Sequence, residues 1–173
     1  MFEGPARRAV HRLKFGGWRG VAEGLAREMA RSSADLGGCD LVTWVPLSKR
    51  RLASRGFDQA EALARVVARE LGRPAVRLLE RVSDPGGSQA RRAGQDRRQA
   101  VRGRFGLVRP PSEHVLLVDD VLTTGATAAA CGSELVRGGA ARVSLLVAAR
   151  SVRPGFRPGY TRARPALGSV VAR

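Results

Sequence analysis

The chain has 173 residues, 43% of them hydrophobic, with 31 Lys and Arg against 15 Asp and Glu for a net charge of +16. That length suits one domain and that apolar content a globular protein, which excludes a disordered chain. No apolar run approaches the ~18 residues of a membrane span, and Met1 to Arg8 lacks the apolar core of a signal peptide, so the expected location is cytoplasmic. The excess charge favours anionic partners such as nucleotides, polyphosphates or nucleic acid, but charge alone names none of them.

Residues 5–13 read as a short helix with Ala6, Val10 and Leu13 on one face, interrupted by Phe15-Gly16-Gly17. Trp18 to about Ala34 follows as an amphipathic helix with Val21, Leu25 and Met29 at helical spacing, stopped by Gly37-Gly38. Cys39 and Cys131 lack a CxxC spacing and make no zinc site; a bridge between them stays open, with reduced thiols the default. His11 and His114 are isolated and read as surface or packing residues.

Leu41 to Pro46 is the next strand, ended by its proline. Leu47 to Phe57 reads as a loop carrying Lys49, Arg50, Arg51 and Arg55, placed to meet an anion held by a neighbouring strand. Asp58 caps a helix that runs to about Leu71, with Gly72 as its stop. Ala75 to Leu79 reads as a short strand. The segment from Arg81 to Arg104 lacks clean periodicity, is dense in Arg and contains Asp84-Pro85-Gly86-Gly87. A loop of that length inside a compact domain is usually functional or disordered. Phe105 to Val108 returns to extended structure.

The most informative stretch comes next. Val115-Leu116-Leu117-Val118 is a buried strand, and Asp119-Asp120 follow where it leaves the sheet. Thr123-Thr124-Gly125-Ala126-Thr127 then opens a helix from Ala126 to about Arg137. A helix N-terminus with hydroxyl donors and a glycine suits a phosphate, and ligands of open α/β sheets sit beyond the carboxyl ends of the strands. Carboxylates beside such a cradle point to a sugar phosphate, with the acids on ribose hydroxyls or a bound cation. A tight strand–helix turn with solvated acids would share the outline. A P-loop is excluded, since Gly-Lys-Ser/Thr does not occur. After Gly138-Gly139, Arg142 to Ala148 is a further buried strand. The rest is rich in Arg, Pro and Gly and reads as an irregular tail, with no internal repeats in the chain.

The stretch from Val115 to Thr127 resembles the signature of type I phosphoribosyltransferases, which bind phosphoribosyl pyrophosphate (PRPP) with Mg²⁺. The resemblance implies an α/β fold, a mostly parallel sheet flanked by helices with a small hood. It places Asp119 and Asp120 on the ribose, and Thr123, Thr124, Gly125, Ala126 and Thr127 around its phosphate. Leu13-Lys14-Phe15-Gly16-Gly17, Val45-Pro46-Leu47, Arg55-Gly56-Phe57-Asp58-Gln59 and Arg81…Gln89…Arg97…Gly103-Arg104-Phe105 resemble blocks of the ComF family, which is associated with DNA uptake in natural competence. Asp58 stands where that family usually has Asn, and Gly86, Arg92 and Ala100 replace its usual Thr, Leu and Asn. Family members commonly begin with a cysteine-rich zinc module; here the start is truncated or the lineage lacks it.

These resemblances imply a domain over residues 1–150, a hood at about 81–104 and a tail over 151–173. Lys49, Arg50, Arg55, Gln89 and Arg97 would serve pyrophosphate and hood, and Mg²⁺ would be held through pyrophosphate together with Asp119 and Asp120. The partners expected are PRPP, single-stranded DNA and competence or recombination proteins. Three functions fit: an enzyme acting on PRPP, a non-catalytic PRPP sensor, and a basic module handling single-stranded DNA. Aromatics make up only 5% of the chain, which weighs against stacking on bases. No residue marks an acceptor base or an oligomeric state.

Overall fold

The computed structural model describes residues 18–33, 38–82, 104–150 and 170–172. Helix α1 (Trp18–Ser32) is followed by β1 (Leu41–Trp44), α2 (Lys49–Arg55) and α3 (Gln59–Glu70). A pair of short strands, β2 (Leu79–Arg81) and β3 (Phe105–Leu107), precedes β4 (His114–Leu122), α4 (Ala126–Arg137), β5 (Arg142–Arg150) and β6 (Val170–Ala172). Four strands form one parallel sheet in the order β1-β4-β5-β6. Strands β2 and β3 pair antiparallel as a separate small sheet.

The apolar run of β4 is buried on both faces because the sheet divides two cores, as parallel sheets do. Leu116 and Val118 join Val42, Trp44 and Leu146 beneath α1 and α3. Val115 and Leu117 point the other way, to Leu41, Val143, Leu145 and the α4 residues Ala128, Cys131 and Leu135. Fully burying one such aliphatic side chain contributes about 1.5–3 kcal/mol, so the run from Val115 to Val118 anchors β4 firmly between the two cores. Both cysteines are free and buried, one in each core, which closes the question of a bridge.

Several sequence expectations change in detail. The buried stripe of α1 is Ala22, Ala26, Met29 and Ala30, with Leu25 only partly covered. Small residues let α1 lie close on α3. Residues 47–57, expected as a loop, contain α2. Ser48 caps it by accepting from the Arg51 N–H, and Gly56 ends it at φ +76° with its N–H on the Leu52 carbonyl. No residue of α2 is buried, so it has no apolar periodicity to read.

The strand expected over 75–79 splits. Ala75 makes a single parallel bridge to Val42, and Leu79–Arg81 turns away to pair with β3. The ends of the Arg-rich segment are thereby tied together, with the Val82 N–H on the Arg104 carbonyl at 2.9 Å. The interior of the segment expected as a hood, including Gln89 and Arg97, lies outside the described residues, as do the residues of the helix expected over 5–13. The tail expected as irregular returns to the sheet at its end, where Val170–Ala172 pairs with Leu145–Val147. Residues 151–169 lie outside the described residues.

Candidate functional site

Strand β4 outruns its neighbour on one side. Its pairing with β1 stops at Trp44 opposite Val118, while its pairing with β5 continues to Leu122 opposite Arg150. Asp119 and Asp120 therefore lie within β4, not after it, at the step where β1 has already left the sheet. Period-two alternation directs Asp119 to the α4 side and Asp120 to the α3 side. The turn that follows reaches α4 through Gly125, whose φ of +76° makes it the N-cap without a side-chain cap. A helix N-terminus leaves several N–H groups without intrahelical partners, and here that end opens on the same space as the acids.

That space is a cavity of about 280 Å³. Asp119, Asp120, Thr123, Gly125 and Thr127 line one side of it. Arg51 and Arg55 line another, with Asp58 and Gln59 at the start of α3, and Arg81 enters from β2. Arg81 lies over the Phe105 ring at 5.1 Å, which braces its guanidinium. Acids, a helix N-terminus and guanidinium groups thus converge from three separate stretches of sequence, around residues 51–59, at Arg81 and over 119–127.

The acids are under electrostatic load. Burial and the neighbouring Asp120 charge push the Asp119 carboxyl up to about 8, with a further contribution from Asp58. The Asp120 N–H on its Oδ1, at 2.8 Å, opposes that rise without cancelling it. Asp58 is also raised by burial, although it accepts from two backbone N–H groups. Burial raises the Cys131 thiol strongly, so it is an inert packing group and no nucleophile.

The sequence-derived site residues among those described separate into three groups. Asp119, Asp120, Thr123, Gly125, Thr127 and Arg55 meet at the cavity. Thr124 and Ala126 do not line it; the exposed Thr124 hydroxyl accepts from the Ala126 N–H at 3.4 Å and closes the turn. Lys49 and Arg50 are exposed in the first turn of α2 and stand outside the cavity. Arg51 takes their place, four residues before Arg55 on the same helical face. Among the polar lining residues, Arg51, Asp58, Gln59 and Arg81 are those that sequence reasoning did not assign to the site. A helix placed between Ser48 and Gly56 would have found the first of them.

No group of three or more His, Cys, Asp or Glu among the described residues is arranged to hold a metal. Two adjacent carboxylates beside a helix N-terminus are a donor set suited to Mg²⁺, which keeps several waters and is held through one or two carboxylates and substrate phosphates.

No family model matches the chain. Two solved structures share its architecture. One bears the description of the allosteric regulatory enzyme of purine biosynthesis, with TM-score 0.53 and 25% identity, covering 80% of this chain and 27% of that one. The other is the glutamine PRPP amidotransferase from B. subtilis in complex with ADP and GMP, with TM-score 0.54 and 25% identity over 74% of this chain and 26% of that one. The fold is that of the type I phosphoribosyltransferases. In that fold the expected parallel sheet flanked by helices is present, with Asp119 and Asp120 on its central strand. Among curated proteins, the chain is 34% identical over 151 residues to the DNA utilization protein YhgH of Salmonella typhi. The match covers 83% of this chain and 66% of that protein, just under two thirds of the relative's length. No described helix of the phosphoribosyltransferase-like domain is long and apolar enough to cross a membrane.

Proposed function

We propose that this chain is a ComF-family phosphoribosyltransferase-like protein that binds PRPP with Mg²⁺ and serves DNA uptake or use. The observation that carries the reading is the junction of β4 and α4: two half-buried carboxylates are followed, after a short turn, by a left-handed glycine at a helix N-terminus, with Arg51 and Arg55 lining the same cavity. The carboxylates would take the ribose hydroxyls, the N–H groups of the α4 terminus its phosphate, and the arginines the pyrophosphate. Mg²⁺ would supply charge neutralisation between pyrophosphate and the acids. The link to DNA follows from the relative named for DNA utilization and stands independently of any turnover.

Calorimetric titration with PRPP, with and without Mg²⁺, tests the reading. Replacing Asp119 and Asp120 by Asn keeps their size and removes their capacity to carry charge. Hydrogen bonds to charged groups contribute about 1.5–3 kcal/mol each, so the double variant binds at least about tenfold more weakly. Equal affinity in a folded double variant would refute the assignment.

A second reading, a module that handles single-stranded DNA, is favoured by one observation. Lys49 and Arg50 are exposed and stand outside the cavity, on a helix with no buried residue. Such a surface meets phosphodiesters electrostatically and without sequence preference. Replacing both by Ala lowers the log–log salt slope of binding by about 0.7 for each phosphate no longer neutralised. An unchanged slope would remove α2 from any DNA surface.

A further inference from the structure

Gln59, the first residue of α3, is 2% exposed and lines the cavity. Its Oε1 accepts from Arg55 Nη1 at 3.3 Å. Its Nε2 is buried and has no hydrogen-bond partner among the described residues. The orientation of the amide follows from chemistry: reversing it would set an NH₂ donor against a guanidinium donor. Burying an amide with one end unsatisfied is destabilising, and a leucine of similar size would avoid that cost. Stability therefore gives no reason for an amide here.

We propose that Gln59 is a positioning residue for Arg55, a neutral acceptor that aims the guanidinium at the cavity without cancelling its charge. The inference rests on the pyrophosphate reading of this cavity given above. Arg27, Arg65, Arg69 and Arg137 each donate to a glutamate, whereas Arg55 donates to an amide. A glutamate at 59 would hold Arg55 equally well in space. It would also form an ion pair with it and add a carboxylate to a cavity already lined by Asp58, Asp119 and Asp120. An anionic oxygen would then meet a neutralised arginine. The amide separates orientation from charge, so that Arg55 meets a polyanion with its full charge.

The test uses Mg-pyrophosphate as the probe, titrated against wild type, Gln59→Leu, Gln59→Glu and Arg55→Met, with PRPP as a parallel ligand. Gln59→Leu is expected to keep or raise the melting temperature and to weaken pyrophosphate binding about three- to tenfold. Gln59→Glu is expected to weaken it further while retaining the hydrogen bond. In the Arg55→Met background, Gln59→Leu is expected to cause no added loss, because Gln59 acts through Arg55. Unchanged affinity in Gln59→Leu, a loss of equal size without Arg55, or a Gln59→Leu chain that melts well below wild type would each overturn the inference. If wild type binds PRPP and Gln59→Leu binds pyrophosphate unchanged, only this inference falls. A wild type that binds neither ligand overturns the PRPP reading and this inference with it.

Discussion

Asp58 bonds to Leu47 across the turn that carries the chain out of the sheet. Its Oδ2 accepts from the Leu47 N–H at 3.0 Å, while Oδ1 accepts from the Glu61 N–H at 3.2 Å and caps α3. One carboxylate therefore fixes both the exit from β1 and the start of α3, with α2 held between them. Since Arg51 and Arg55 ride on α2, this latch sets where the cations stand relative to Asp119 and Asp120.

Asp58→Ala removes both functions at once. Loss of an N-cap costs about 0.5–2 kcal/mol, and loss of the Leu47 bond about 1 kcal/mol more. Urea denaturation should show the sum, and pyrophosphate affinity should fall with it as α2 loosens. Asp58→Asn keeps one acceptor oxygen for two donors and should fall between. Wild-type stability in Asp58→Ala would show that the turn is held by other contacts.

Gly125 is required by its backbone more than by crowding. A Cβ there would meet the Leu122 Cδ1 at 3.6 Å, an ordinary contact, yet φ is +76°. Left-handed backbone costs an L-residue roughly 1–2 kcal/mol, and Asn tolerates it better than most. Thermal melts should therefore rank glycine above Gly125→Asn and Asn above Gly125→Ala. PRPP binding should weaken in both, because the added side chain stands at the helix end assigned to phosphate. Normal binding by Gly125→Ala would move the phosphate off this turn.

The central strand, the acid pair, the glycine turn and α4 were legible because each follows from local chemistry: an apolar run, adjacent carboxylates, a glycine, then helical spacing. Helix α2 was not, because it buries nothing; only Ser48 and Gly56 marked its ends. That omission put Lys49 and Arg50 in the site and left Arg51 out. The roles of Gln59 and Arg81 depend on where β2 and α3 meet β4 in space, which no local pattern encodes. The length of β4 was also hidden, since two acids look like the end of a strand unless the pairing with β5 is known.

Asp119 gives stability a pH dependence of definite sign. Its carboxyl titrates at about 8 in the folded chain against 3.8 without the fold, so the native state holds the extra proton between those values. Stability contributed by that proton is full below about pH 4 and is lost as pH rises through 8. Asp58, also raised, acts in the same direction, while His114, lowered by burial, acts in the opposite one below its ordinary range. Comparison with Asp119→Asn isolates the Asp119 part. Between pH 6 and pH 9 the melting temperature should fall more for wild type than for the variant. Parallel behaviour would mean that Asp119 is not the group that binds the proton.

Catalysis asks more of this site than binding does. Phosphoribosyl transfer needs an acceptor held in line with the anomeric carbon and charge stabilisation as pyrophosphate departs. On the PRPP reading, Arg51, Arg55 and Arg81, which line the cavity, would supply charge for the leaving group. The cavity lining among the described residues contains no His, Lys or Glu to serve an acceptor as a base. Of its carboxylates, Asp119 and Asp120 are taken by the ribose on the PRPP reading, and both oxygens of Asp58 are bonded to backbone N–H groups. Incubation with PRPP and Mg²⁺ should therefore show no transfer to adenine, guanine, hypoxanthine, uracil or orotate, and at most slow hydrolysis. Pyrophosphate release would be followed for each base, with the double Asp119→Asn/Asp120→Asn variant as the blank. Rapid release with one base, absent from the blank, would overturn this expectation and identify the acceptor. Binding without release for every base would leave PRPP sensing as the activity of the site.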